Sequence, residues 1–125
     1  MAFMYDKNLA YNLVCLILDN IETINKRIED IQYPGDFASS EKGMILLDSI
    51  CMKLVAIGES LKSLDKITNN ELFAMYPQIS WKQAMGMRDI IVHHYFDIDA
   101  EEIYKTVKED LPLLQSVLEK IKTNF

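Results

Sequence analysis

Thirteen residues, MRDIIVHHYFDID from Met87 to Asp99, bring together an arginine, two adjacent histidines, a tyrosine and three aspartates. Asp89 and His93 stand four apart, which puts them on one face of a helix, where a carboxylate can orient an imidazole and favour its protonated form. Arg88 lies on a neighbouring face and offers a planar fork of donors, suited to holding the negative charge of a phosphate during phosphoryl chemistry. Tyr95, seven residues beyond Arg88, returns to nearly the same face if the helix runs that far. A plainer reading stands beside this one. Histidines near a helix C-terminus complement its dipole, and neighbouring Asp and Arg side chains often form solvated pairs worth little. His94 is open to the same two readings, a second acid/base group or a solvated bystander.

The elements that must carry these groups read as helices. Leu13, Ile17, Ile21, Ile24, Ile28 and Ile31 follow at steps of three and four, one stripe of a first helix that ends at Tyr33-Pro34-Gly35. Met44, Leu47, Cys51, Leu54, Gly58 and Leu61 make a second stripe, in a helix placed at about 37–64. Gly58 in a helix interior costs about 1 kcal/mol relative to alanine, so its presence points to close approach of another backbone.

Thr68-Asn69-Asn70-Glu71 and Ser80-Trp81-Lys82-Gln83 both fit the capping box and predict two further helix starts. The first is a short extra helix closed by Pro77; the second carries the Met87–Asp99 stretch. Asp99 caps a last helix with Glu101 and Glu102 in its first turn, and Pro112 kinks or restarts it. No alternating strand pattern, repeat or low-complexity segment interrupts the series. The fold class is therefore all-α, an antiparallel helical bundle with short connections.

Composition narrows the function classes. With 125 residues, half of them hydrophobic, the chain is of one-domain size and can bury a core unaided. It has no apolar run long enough for a membrane span, and Asp6 and Lys7 fall where a signal peptide would need apolar residues, so a soluble cytoplasmic protein is expected. Cys15 and Cys51 sit in apolar runs without CxxC or Cys/His spacing, which favours buried reduced thiols. Asp97 and Asp99 near His93 lack an HD pair or HxxxH spacing, so no metal is expected, and no cofactor. A net charge of −6 disfavours general nucleic-acid binding, and DNA is not expected as a partner. An RNA site would have to be local, with Arg88, Lys82 and Lys105 gathered in a cleft.

GMRDIIVHHYFDID resembles the R-x4-H-x-Y signature of HepT-like proteins, a branch of the all-α HEPN superfamily, with Arg88, His93 and Tyr95 at its defining positions. The resemblance extends in order along nearly the whole chain. VAIGESLK is similar to the family's I-G-E-A segment, YPQISWKQAMGMRD to its P-x-I-x-W…G-M-R run, and DLPLL to its last-helix L-P-x-L. It implies one HepT-like domain over residues 1–125, a homodimer in which two motifs face each other across a cleft, and metal-independent cleavage of RNA by a toxin. Arg88 would then bind the scissile phosphate, and His93 would act as general base on a ribose 2′-hydroxyl or general acid on the leaving 5′-oxygen.

The resemblance also implies a partner, a minimal nucleotidyltransferase antitoxin that adds AMP to the motif tyrosine, here Tyr95. Bulk and phosphate charge beside Arg88 would block substrate. Asp89 departs from the asparagine frequent in the wider superfamily, and an anion there repels substrate phosphate. Glu59 of IGES has two readings, a carboxylate pairing with a neighbouring helix or a residue lining the motif cleft. Trp81 is expected to pack across the bundle, and Met44, Met52, Met85 and Met87 to fill core or interface. The same Arg88 and Tyr95 would also suit a non-catalytic subunit that presents a substrate or nucleotide to the transferase, and a plain dimeric scaffold remains the third reading.

Overall fold

A computed structural model describes residues 5–94 and 97–125. Asp6 opens the first helix, α1 (Lys7–Arg27), its Oδ1 accepting from the Leu9 amide at 3.0 Å. The predicted stripe faces inward: Ile17, Ile21 and Ile24 are buried within the helix, and Leu13 is half-buried at its margin. The helix stops six residues before the Tyr33-Pro34-Gly35 breaker. Ile28 and Ile31 stay buried, but in the connection beyond the helix. Distant side chains take the carbonyls released there. Lys108 Nζ donates to the Ile28 oxygen at 3.3 Å, and the Tyr104 hydroxyl donates to that of Gln32 at 2.6 Å. Local turn bonds and these tertiary partners together stand in for the last helical turns.

Pro34 leads into a one-turn helix, α2 (Gly35–Ala38), which buries Phe37. The long second helix, α3 (Glu41–Ile67), therefore begins later than the predicted 37 and ends later than 64. Ser40 caps it through the Gly43 amide at 2.9 Å. Gly43 itself faces the carbonyls of Asp36 and Phe37, so any side chain there would drive α2 away.

Thr68 does not start a helix. It ends α3: its hydroxyl donates back to the Leu64 carbonyl, and Asn69 and Asn70 take positive φ values of 58° and 61°. The Asn70 amide bonds the Asp65 carbonyl and the Asn69 amide that of Lys66, a Schellman closure in which asparagine does the work of glycine. In place of the predicted short helix before Pro77 there is one 3₁₀ turn, Phe73–Met75.

Ser80 does precede a helix, α4 (Trp81–Met85), although its side chain makes no capping bond. Trp81 packs as predicted. Its ring stacks on Phe73 with centroids 3.9 Å apart, and Nε1 donates to the Tyr76 carbonyl at 2.8 Å. The predicted single helix over this stretch is instead two, because Gly86, with ψ of −7°, separates α4 from α5 (Met87–His93). Asp99 then caps α6 (Ala100–Lys105), accepting from the Glu101 amide at 2.9 Å. A π-type turn, Thr106–Asp110, leads into α7 (Leu111–Thr123). Pro112 lies in the first turn of α7, where its missing N–H and its ring bulk widen the preceding turn.

Among the described residues every regular element is helical. Asn20 meets Lys53 and Arg27 meets Ser49, so α1 and α3 run antiparallel; Asn25 with Gln115 and Tyr11 with Phe125 set α7 antiparallel to α1. One apolar cluster fills the bundle, from Val14 and Ile21 through Leu54 and Leu61 to Leu118 and Ile121. Cys51 lies in it as a free thiol whose pKa is pushed up to about 11 by burial and then by the charge of Asp48; Cys15, also free, is only half-buried. No helix among the described residues is long and apolar enough to cross a membrane.

Candidate functional site

The motif helix α5 rests on α3 where α3 has no side chain. A Cβ built on Gly58 would lie 3.3 Å from the Arg88 amide nitrogen and 3.4 Å from the Met85 carbonyl oxygen. The close approach predicted for Gly58 is thus made by the backbone of Arg88 itself. Because side chains three and four apart share a helix face, the residues just past Gly58 look across at the start of α5.

Two of them meet Arg88 and Asp89. Glu59 Oε1 lies 3.2 Å from Arg88 Nε, and Asp89 Oδ1 accepts from Arg88 Nη1 at 2.9 Å. Lys62 Nζ stands 3.7 Å from Asp89 Oδ2 and 4.0 Å from Glu59 Oε1. All four side chains are substantially exposed. The Asp89 carboxyl is held below its ordinary pKa, first by the hydrogen bond from Arg88 and then by the charge of Lys62. The guanidinium pKa is raised, first by that same bond and then by Glu59. Of the two readings of Glu59, pairing with a neighbouring helix is what the geometry contains, and the helix it pairs with is the motif helix.

His93 is exposed at the C-terminal end of α5. Its Nδ1 lies 2.7 Å from the backbone carbonyl oxygen of Asp89. A carbonyl only accepts, so Nδ1 carries the proton and Nε2 is the ring atom left to act. The hydrogen bond that orients the imidazole thus comes from the Asp89 carbonyl, while the Asp89 carboxylate, expected in that role, has its oxygens on Arg88 and Lys62 and feels His93 through its charge. Arg88 and His93 are five residues apart, roughly 140° around the helix axis, and make no direct contact. His94 closes α5 through its amide and is exposed. Tyr95, the predicted modification site, lies outside the described residues.

Lys82 and Lys105, expected to gather with Arg88, share a groove that Asp89 lines and Arg88 does not. They line a groove of about 910 Å³ between α4–α5 and α6–α7, together with the carboxylates of Asp89, Glu102 and Asp110. Met85 and Met87 pack against the core, whereas Met44 and Met52 on α3 are exposed, contrary to a core role. Met52 falls seven residues after exposed Ile45 and seven before Glu59, so an apolar stripe on α3 runs up to the charged corner. The sequence reading passed over Lys62. Its signal was available: it follows Gly58 by four and Glu59 by three, on the face that meets α5.

The sequence pattern of the HepT-like family, described as ribonuclease HepT-like, matches residues 17–121. Curated relatives agree. The chain is 32% identical to "Probable ribonuclease HepT" of Thermococcus cleftensis over 85% of its own length and 89% of that protein. It is 29% identical to "Putative RNase MJ1380" of Methanocaldococcus jannaschii over 94% of its length and 92% of that protein. With "Putative RNase TTE0752" of Caldanaerobacter subterraneus it shares 30% identity over 84% of its length and 87% of that protein. No solved structure matches the chain significantly.

Proposed function

The chain belongs to the ribonuclease HepT-like family, and on that footing we propose that it cleaves RNA through Arg88 and His93 without a metal ion. The observation that carries the reading is the hydrogen bond from His93 Nδ1 to the Asp89 carbonyl, which presents Nε2 with its lone pair outward on an exposed ring. Nε2 takes the proton of a ribose 2′-hydroxyl, or in its protonated form gives one to the leaving 5′-oxygen. Arg88 holds the scissile phosphate and the charge that builds on it as the 2′-oxygen attacks. Phosphorus gains the bond to the 2′-oxygen and loses that to the 5′-oxygen, leaving a 2′,3′-cyclic phosphate and a 5′-hydroxyl.

The wider frame is part of the same proposal. The chain acts as a cytoplasmic toxin and as a homodimer. The exposed stripe of Ile45 and Met52, continuous with Glu59, and the exposed Ile90 and Val92 on α5 supply apolar surface next to the motif for a second copy. A nucleotidyltransferase antitoxin switches it off by transferring AMP to Tyr95, two residues beyond His93.

The deciding experiment incubates the purified protein with bulk tRNA and messenger RNA in EDTA, beside His93→Ala, and maps the product ends. Cyclic-phosphate ends that disappear in the variant are the expected result. Full cleavage by a folded His93→Ala protein would remove the mechanism, and no cleavage by the parent would turn the reading to a binding subunit of the transferase.

A further inference from the structure

The geometry points to Lys62 as a second phosphate-binding cation of this site, one that shares the substrate phosphate with Arg88 when the Asp89 carboxylate moves aside. The inference rests on the RNA-cleaving reading above. Its starting point is what Asp89 does in the resting protein. One oxygen of its carboxylate accepts from the Arg88 guanidinium at 2.9 Å and the other faces the Lys62 ammonium at 3.7 Å. Two cations on two elements, α3 and α5, thus bracket a single anionic group through its two oxygens. A phosphodiester presents the same pattern, two non-bridging oxygens on one centre, so the carboxylate occupies between Arg88 and Lys62 the position that a phosphate would take.

Charge balance requires the second cation. Arg88 alone, against Glu59 and Asp89, would leave the corner net negative on a chain whose total is already −6, and it would repel the substrate. Lys62 brings the four groups to neutrality. Both of its ion pairs are loose, at 3.7 and 4.0 Å, and its side chain is 40% exposed. Exposed pairs of that kind are weak, so the ammonium can exchange a carboxylate for a phosphate oxygen at little cost. Gly58 fixes the alignment by holding the backbone of α5 against the turn of α3 that carries Lys62.

The test measures binding of a single-stranded RNA oligonucleotide to the full chain carrying His93→Ala, which removes cleavage, across a salt series. Each phosphate contact on single-stranded nucleic acid contributes about 0.7 to the slope of log affinity against log salt. Adding Lys62→Gln should lower that slope by about 0.7 and Lys62→Arg should restore it. The loss should recur when Lys62→Gln is combined with Asp89→Asn. An unchanged slope in Lys62→Gln, with a lowered one in Arg88→Gln, overturns the inference and leaves the ribonuclease reading in place. A loss that vanishes in the Asp89→Asn background also overturns it, since Lys62 would then act only by drawing Asp89 off Arg88. If the parent protein binds and cleaves no RNA, the functional reading fails and this inference with it.

Discussion

The body made by α1, α3 and α7 and the corner where α5 meets α3 are held by different forces. In the body, Ile17, Ile21, Ile24, Leu54, Leu61 and Leu118 are out of water, and two of the three helices carry side-chain N-caps. Burial of that kind is worth roughly 1.5–3 kcal/mol per large side chain and tolerates no gaps. The corner brings Arg88 and Asp89, on a helix of seven residues that Gly86 sets off from α4, against Glu59 and Lys62 of α3, with all four side chains between 40 and 52% exposed. Its ion pairs set direction and contribute little to stability. On the function proposed above, the contrast lets one short chain be both durable and reactive: the groups given chemistry to do are fastened by weak, exposed contacts that a substrate phosphate would replace, upon a frame held by burial.

Cutting into the body should break this division most visibly. Ile21→Ala removes a fully buried side chain from α1 and should lower the unfolding free energy by about 2–5 kcal/mol, read from urea denaturation. Arg88→Gln, measured beside it, should leave the denaturation midpoint where the parent has it. A large shift in Arg88→Gln would mean that the corner is a structural element after all.

The same division decides what could be read from the sequence. The apolar stripes gave the bundle, because periodic burial is a local pattern and the body consists of little else. Asp6 and Ser40 were there to be read as caps but were not, and Asp99 was. What misled was local chemistry overruled from outside. Thr68 and Glu71 fit a helix start, yet two asparagines that accept positive φ let α3 close there. The first helix has no breaker at Arg27, and the turns that follow it are held both by local amides and by Lys108 and Tyr104, far along the chain, on the carbonyls of Ile28 and Gln32. At the site, the spacing of Asp89 and His93 placed both on one helix face. It could not say whether His93 would meet the carboxylate or the carbonyl of the same residue, since that depends on Lys62 and Glu59 arriving from α3.

Gly58 joins the two regions, and substituting it sharpens the comparison. Alanine there gains helix propensity of up to about 1 kcal/mol but must push the Arg88 amide back from 3.3 Å by a few tenths of an ångström. The two effects offset in stability and not in alignment. Gly58→Ala should therefore denature within about 1 kcal/mol of the parent while cleaving RNA several-fold more slowly. Unaltered cleavage would show that α5 need not lie so close to α3.

The smallest effect is also the most specific to the corner. Asp89 has its pKa lowered chiefly by the Arg88 hydrogen bond and next by Lys62, so its carboxylate should titrate below the ordinary aspartate range in an NMR experiment on the folded protein. A carboxyl held low stabilises the fold at pH values above its unfolded pKa, and that contribution fades as the pH falls through the lowered, folded value. On so exposed a group the stability change is slight, and the midpoint is the better observable. Arg88→Gln removes the leading cause, so the Asp89 midpoint should rise toward the ordinary range; Lys62→Gln should raise it less. The order of those two shifts ranks the two cations by their hold on one carboxylate. If Lys62→Gln moved Asp89 more than Arg88→Gln did, the ammonium and not the guanidinium would be the principal anchor of the anion in this corner.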